Sequence, residues 1–126
     1  MVIENENFRN NTIENFRKSC AKRKLVMIGS ITEVEFMKWN FLKQLKISCK
    51  DVYYTDGEEN IKEKVCAMQK NTNPQTVVVL IANDYPFLTQ RLLREAGFES
   101  WYSTKLFMER YCFYNNTNVC YFYLKG

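Results

Sequence analysis

The sequence predicts an α/β domain in three layers, with a mainly parallel sheet between two layers of helices. Short apolar segments alternate along the chain with longer segments whose apolar residues recur at helical spacing. Residues 76–82, T-V-V-V-L-I-A, are apolar after the first residue, as is typical of a strand buried on both faces. The composition, 46% apolar and 25% charged with four Gly and two Pro, is that of a compact globule. We therefore treat residues 1–126 as a single domain.

The first half of the chain predicts a helix, a strand, a helix and a second strand. Apolar residues at helical intervals indicate an opening helix over about residues 5–22. Residues 24–29, K-L-V-M-I-G, form an apolar run that ends at glycine and predicts the first strand. Ser30 and Glu33 then have the spacing of a capping box, with which helices begin. Residues 51–56, D-V-Y-Y-T-D, are rich in strand-forming types and predict the second strand.

Two more helices flank the apolar segment at residues 76–82, which is the third predicted strand. Asp56 and Glu59 repeat the capping-box spacing, so we expect the first of these helices to start at Asp56. We expect the second of these helices to begin near Pro86, a residue common at the first helical position, and to end before Gly97.

The end of the chain predicts a fourth strand and a hairpin. Residues 99–104 form the strand, and residues 112–114 and 119–124 flank N-N-T-N, the composition of a hairpin turn. With right-handed crossovers, the expected order of the first four strands is 2-1-3-4.

Missing residue types exclude several kinds of catalytic site. The chain has no histidine, which excludes His-dependent triads, Cys-His nucleophiles, most zinc enzymes and the ordinary proton shuttle at neutral pH. Neither the G-x-x-x-x-G-K-[ST] phosphate loop nor the G-x-S-x-G elbow is present. We therefore expect no catalysis by this chain alone and no metal, and we favour a binding role.

The net charge and the cysteine content limit which binding partners and which cellular compartment we expect. A net charge of +4 is small for a dedicated nucleic-acid binder, so nucleic acid is not an expected partner. A basic cluster either attracts phosphate or lies in the last turn of the opening helix, where the helix dipole favours cations, and we favour the second interpretation. Its members are Arg17, Lys18, Lys22, Arg23 and Lys24. The five cysteines show no C-x-x-C spacing and suggest reduced, mostly buried thiols.

No part of the sequence predicts export or a membrane span. The polar, acidic start lacks the basic stub and apolar run of a signal peptide, and no apolar stretch approaches the roughly 20 residues that cross a bilayer. We expect a cytoplasmic protein.

The candidate site lies beyond the carboxyl ends of the first and third strands, where the strand order reverses. A helix N-terminus beside a glycine turn offers N–H groups to a phosphate, and an Asp one strand away can accept hydrogen bonds from ribose or sugar hydroxyls. The candidate binding residues are Gly29, Ser30, Ile31, Asp56, Gly57, Asn83, Asp84 and Tyr85.

Each part of this site also has a purely structural interpretation. The first turn has one glycine where the dinucleotide fingerprint has three, and Glu33 already interacts with the helix dipole, so we favour Ser30 as a plain cap. For Asp56, we favour the role of a helix cap over a contact to ribose, although the two roles are compatible. Capping accounts for one of residues 83–85, which leaves two for a hydroxyl-rich ligand.

Ten of the 19 aromatic residues lie between positions 98 and 123. They cover the sheet edge from a final hairpin, or they form a contact with a second subunit or a partner protein. Single-stranded RNA is a minor alternative, because these aromatic residues lack interleaved Lys and Arg.

The chain resembles a known group of small domains at four segments: K-L-V-M-I-G-S, D-V-Y-Y-T-D, T-V-V-V-L-I-A-N-D-Y and L-L-R-E-A-G-F-E-S-W-Y-S. Over about residues 8–108 it is similar to Rossmann-like domains of bacterial surface-polysaccharide biosynthesis, which precede FkbM-type methyltransferase domains or accompany sugar-modifying enzymes. Gly29 and Asp56 match the group's turn glycine and strand-end Asp. The resemblance implies a Rossmann-like fold and a nucleotide or nucleotide sugar as ligand.

We therefore predict an accessory, non-catalytic module that binds a nucleotide, a nucleotide sugar or a related small molecule. The alternative is an interaction domain with a degenerate pocket, a homo-oligomer such as a dimer, associating through its C-terminal aromatic region.

Overall fold

A four-stranded parallel sheet is the centre of the computed structural model, which describes residues 13–49 and 51–104. The strands run in the order β2-β1-β3-β4, and each neighbouring pair is parallel. They are β1 (Lys24–Gly29), β2 (Asp51–Tyr54), β3 (Val77–Ala82) and β4 (Trp101–Ser103). The predicted fold class and strand order are confirmed. The predicted C-terminal hairpin lies outside the described residues.

Four helices flank the sheet in the part of the chain that the structure describes. Helix α1 is described over residues 13–22. Helix α2 starts as Ile31–Phe36, continues through a π-helical segment, Met37–Leu42, and ends with Lys43–Leu45. Helices α3 and α4 are Ile61–Asn71 and Pro86–Glu95.

The two faces of the sheet are covered by different helix pairs. Leu25 and Met27 of β1 pack in one apolar cluster with Phe16 of α1 and the buried residues of α2. Val26 and Ile28 point the other way, into a cluster with the buried residues of α3 and α4. All six residues of β3 are buried. Each fully buried aliphatic side chain contributes about 1.5–3 kcal/mol, so both layers are needed for stability.

Gly29, the last residue of β1, lies against the end of β3. The backbone N–H of Ser30 donates to the Ala82 carbonyl at 3.1 Å, and the Gly29 carbonyl accepts from the N–H of Thr55 at 2.8 Å. A Cβ on Gly29 would overlap the Ala82 carbonyl oxygen and lie 2.9 Å from the Ala82 Cα. The glycine is therefore required by the packing of the two central strands.

Helix α3 begins later than its capping-box spacing predicts. Gly57 has a φ of 70°, which turns the chain after β2, and the helix begins at Ile61. The side-chain oxygen of Asn60 accepts from the backbone N–H of Asp56 at 2.8 Å, whereas Asp56 does not cap the helix. The predicted start of this helix at Asp56 is wrong, because the positive φ and the Asn60 contact make a separate turn there.

We expect Gly29→Ala to destabilise the protein by about 3 kcal/mol or more, because the new Cβ forces β1 and β3 apart at buried backbone. Gly57→Ala is the matched control. Nothing lies within 4 Å of a Cβ at Gly57, so its cost is only the left-handed conformation, about 1 kcal/mol. Urea unfolding measures both. Equal losses in the two variants would contradict the close contact.

Candidate functional site

The structure brings all eight predicted site residues to one edge of the sheet. The turns after β1, β2 and β3 carry them, and these three strands are adjacent and parallel. Neighbouring strands lie about 4.8 Å apart, so the three turns are neighbours at the carboxyl edge. The strand order reverses between β1 and β3, which places the crevice typical of such sheets between their ends.

The turn after β1 is the start of α2. Ser30 caps this helix, since its hydroxyl oxygen accepts from the backbone N–H of Glu33 at 3.4 Å. The first backbone bond of the helix runs from the Val34 N–H to the Ser30 carbonyl. The N–H groups of Ile31 and Thr32 precede that bond and have no partner within the helix. These two N–H groups, rather than Ser30, are the donors that the turn can offer to an anion.

The turn after β3 is built by the side chain of Asn83, which is buried. Its oxygen accepts from the backbone N–H of Tyr85 at 3.0 Å, and its amide nitrogen donates to the Thr89 hydroxyl at 3.1 Å. The Thr89 hydroxyl donates to the Tyr85 carbonyl at 2.8 Å. Asn83 therefore shapes the turn, whereas Asp84 and Tyr85 are exposed at the edge.

The turn after β2 exposes a carboxylate. Asp56 is exposed, and among the described residues its carboxylate has no hydrogen-bond partner. Gly57 beside it is also exposed. The carboxylate is thus available to accept hydrogen bonds from a ligand.

Apolar side chains surround these polar groups. Four of the five large apolar residues that are exposed in the described part of the chain lie at the carboxyl edge. They are Ile31, Tyr54, Tyr85 and Phe87. Sequence reasoning missed Tyr54 and Phe87, although Phe87 falls between the apolar positions that pack α4 onto the sheet and could have been recognised by its spacing.

The opposite, amino edge of the sheet holds a basic cavity of about 1040 Å³. Lys22, Arg23, Lys24 and Lys70 line it, together with Ser, Thr and Asn side chains. The favoured interpretation of the basic cluster places it in the last turn of the opening helix. Helix α1 is described to residue 22 and Lys24 begins β1, so of this cluster only Lys22 lies in that last turn. Sequence reasoning did not place a site here.

Two half-buried thiols lie near this edge. Burial raises the pKa of Cys20 to about 12, and the nearby Cys49 adds to the effect. Burial also raises the pKa of Cys49, to about 11, against a hydrogen bond to the Asp51 backbone that lowers it. Cys66 is exposed, so of the three described cysteines it departs from the expected burial.

Comparison with known proteins finds no matching family model, no matching curated protein and no matching solved structure. Across residues 13–49 and 51–104, His, Cys, Asp and Glu side chains form no group of three that could hold a metal ion. In the same residues, every helix is too short or too polar to cross a membrane.

We expect Asn83→Ala to destabilise the protein by about 2 kcal/mol, because it removes the acceptor of the Tyr85 N–H and leaves a space in a buried turn. Phe87→Ala, in the same segment, removes a side chain that is 84% exposed and should change the free energy of unfolding by less than about 0.5 kcal/mol. Chemical unfolding of both variants provides the measurement. A neutral Asn83→Ala would show that the turn does not depend on this side chain.

We expect alkylation at pH 8 to modify Cys66 at least about 100-fold faster than Cys20 and Cys49, because the thiolate is the nucleophile and burial disfavours it at the latter two. The rate at Cys49 should rise with pH until about pH 11. Mass spectrometry of a Cys112→Ser, Cys120→Ser chain resolves the three sites. Comparable rates at all three would contradict the assigned burial.

Proposed function

We propose that this chain is an accessory, non-catalytic module that binds a nucleotide, a nucleotide sugar or a related small molecule at the carboxyl edge of its sheet. One observation carries the proposal. The strand order reverses between β1 and β3, and an unengaged carboxylate and exposed rings lie at the carboxyl ends of these strands and of β2 beside them.

The residues have distinct roles in this proposal. A phosphate group meets the N–H groups of Ile31 and Thr32 at the positive end of α2. Asp56 accepts hydrogen bonds from the hydroxyls of a ribose or a sugar. The rings of Tyr54 and Tyr85 offer flat apolar faces to a base or a sugar ring.

The same residues favour ligands of limited negative charge. Glu33 lies in the first turn of α2 and opposes a high negative charge at that helix end. Asp56 repels anions but suits hydroxyl groups. A nucleoside monophosphate or a sugar-linked diphosphate therefore fits better than a triphosphate.

A second function, contact with a protein partner, is favoured by the exposure of Phe87 at 84%. An aromatic side chain this exposed contributes little to the folded monomer and is typical of the centre of a binding surface. The C-terminal aromatic region predicted as an interface lies outside the described residues.

We expect nucleotide sugars at millimolar concentration to raise the melting temperature, and Asp56→Asn to remove most of that increase, because the substitution replaces an acceptor of sugar hydroxyl protons. Glu58→Gln, two residues away on the same exposed turn, removes the same charge and should keep the increase. Thermal unfolding against a panel of nucleosides, nucleotides and nucleotide sugars measures the shifts.

No shift with any member of the panel would refute ligand binding at this edge. Equal losses in Asp56→Asn and Glu58→Gln would assign the effect to net charge rather than to a contact. If Phe87→Ser instead abolishes self-association seen by light scattering, the interaction function is the correct one.

A further inference from the structure

Three adjoining cavities form a basic groove along the amino edge of the sheet and the side of α2. The largest, of about 1040 Å³, lies beside the ends of α1 and α3. Two smaller cavities, of about 420 and 410 Å³, continue it past Lys46 and along α2. Ser48 lines all three, so they meet at the segment between α2 and β2. We call this continuous surface the basic groove.

Only cations carry charge on the described walls of the basic groove. The largest cavity has four, at Lys22, Arg23, Lys24 and Lys70. Arg17 and Lys46 line the second cavity, and Lys38 and Lys43 the third. No Asp or Glu is among the described residues that line any of them. The described walls thus carry eight of the 18 Lys and Arg side chains of the chain and attract a polyanion.

Two of these cations are partly neutralised by weak ion pairs. A guanidinium nitrogen of Arg23 lies 3.7 Å from a Glu99 carboxylate oxygen, and the ammonium of Lys38 lies 3.7 Å from Glu35. The side chains of the Arg23–Glu99 pair are partly exposed, so this pair contributes about 1 kcal/mol or less and can exchange for a phosphate. The Glu35 oxygen beside Lys38 is itself buried, so that ion pair is the harder of the two to replace.

An exposed tryptophan stands at the far end of the basic groove. Trp39 lines the third cavity, is 65% exposed and belongs to the π-helical segment of α2. The ammonium of Lys43 lies 5.7 Å from the centre of its ring. Because π-helical turns are rare and often occur at functional sites, this segment is a second indication that α2 is shaped for binding here.

We propose that the basic groove binds single-stranded nucleic acid, with the phosphates along its cationic wall and a base stacked on Trp39. A cationic track combined with an aromatic platform is the arrangement by which single strands are held without sequence readout. A small anion would require cations that converge on one point, whereas these are spread over three cavities. A duplex keeps its bases stacked inside and leaves Trp39 without a partner.

The net charge of the chain does not reveal the basic groove. A charge of +4 argued against nucleic acid, and the C-terminal aromatic residues lack interleaved cations. In the fold, cations from α1, from the segment after it, from α2 and from the end of α3 come to one side, and Trp39 of α2 lies at one end of their row.

The test measures binding of a fluorescent oligothymidylate of about ten nucleotides to the full chain at low salt. Lys22→Glu with Lys24→Glu should weaken binding by at least about tenfold and lower the salt slope by about 0.7 for each phosphate that is no longer neutralised. Lys62→Glu with Arg91→Glu is the matched control. It reverses two exposed charges on α3 and α4, away from the described walls of the groove, and should change the affinity by less than about threefold.

Trp39→Ala tests the stacking contact separately from charge. We expect it to weaken oligothymidylate binding by at least about fivefold, and we expect the oligonucleotide to quench Trp39 emission in a Trp101→Phe chain. Because Trp39 is mostly exposed, its removal should leave the melting temperature unchanged, and this is checked on the same sample. Asp56→Asn should leave oligothymidylate binding intact, which separates this site from the carboxyl edge.

Four outcomes would overturn the proposal. The first is no binding at low salt. The second is equal weakening by the groove and control charge reversals, which would indicate non-specific attraction. The third is polyglutamate binding as tightly as the oligonucleotide with no effect of Trp39→Ala, which would assign the groove to acidic proteins. The fourth is a DNA duplex binding as tightly as the single strand, again without dependence on Trp39.

Discussion

The contact between the ends of β1 and β3 is the constraint on which the rest of the structure depends. Gly29 lies so close to Ala82 that no side chain fits between them, and the Ser30 N–H bonds to the Ala82 carbonyl. This contact sets the separation of the two central strands, the point where α2 begins and the position of the turn after β3. The carboxyl-edge site therefore takes its geometry from the packing of the sheet.

A parallel sheet gives its two edges different chemistry. At the carboxyl edge, helices α2, α3 and α4 begin, and acidic and aromatic side chains are exposed there. At the amino edge, α1 and α3 end, and cations from both helices and from the start of β1 face one cavity. Helix ends favour this distribution, because the negative end of a helix stabilises Lys and Arg. The two edges of the sheet thus differ in charge, with acidic and aromatic side chains at one and cations at the other, and the length of the strands separates them.

Sequence reasoning predicts those parts of the fold that local patterns determine. The apolar runs give the strands, Ser30 and Glu33 give the start of α2, and the alternation of strands and helices gives the sheet order. It fails at Asp56, since a positive φ at Gly57 and the side chain of Asn60 override the capping-box pattern of D-G-E-E. Sequence reasoning could place the carboxyl-edge residues together, because parallel strands end at the same edge of the sheet. It could not find the basic groove, because only tertiary packing brings Lys70 into one cavity with the first cations and joins that cavity, at Ser48, to the one that Trp39 lines.

The π-helical segment is a place where the length of α2 could differ between related chains. The Lys43 N–H bonds to the Lys38 carbonyl, five residues back, and the Asn40 side chain donates to the Phe36 carbonyl. One extra residue is thereby absorbed in the middle of the helix, whose first bond, from the Val34 N–H to the Ser30 carbonyl, is an ordinary helical one. Homologous chains could gain or lose one residue between positions 37 and 42 without moving the cap at Ser30 or the left-handed end at Lys46. A single-residue gap in an alignment at this place would then mark whether a relative keeps Trp39 on the same side of the helix.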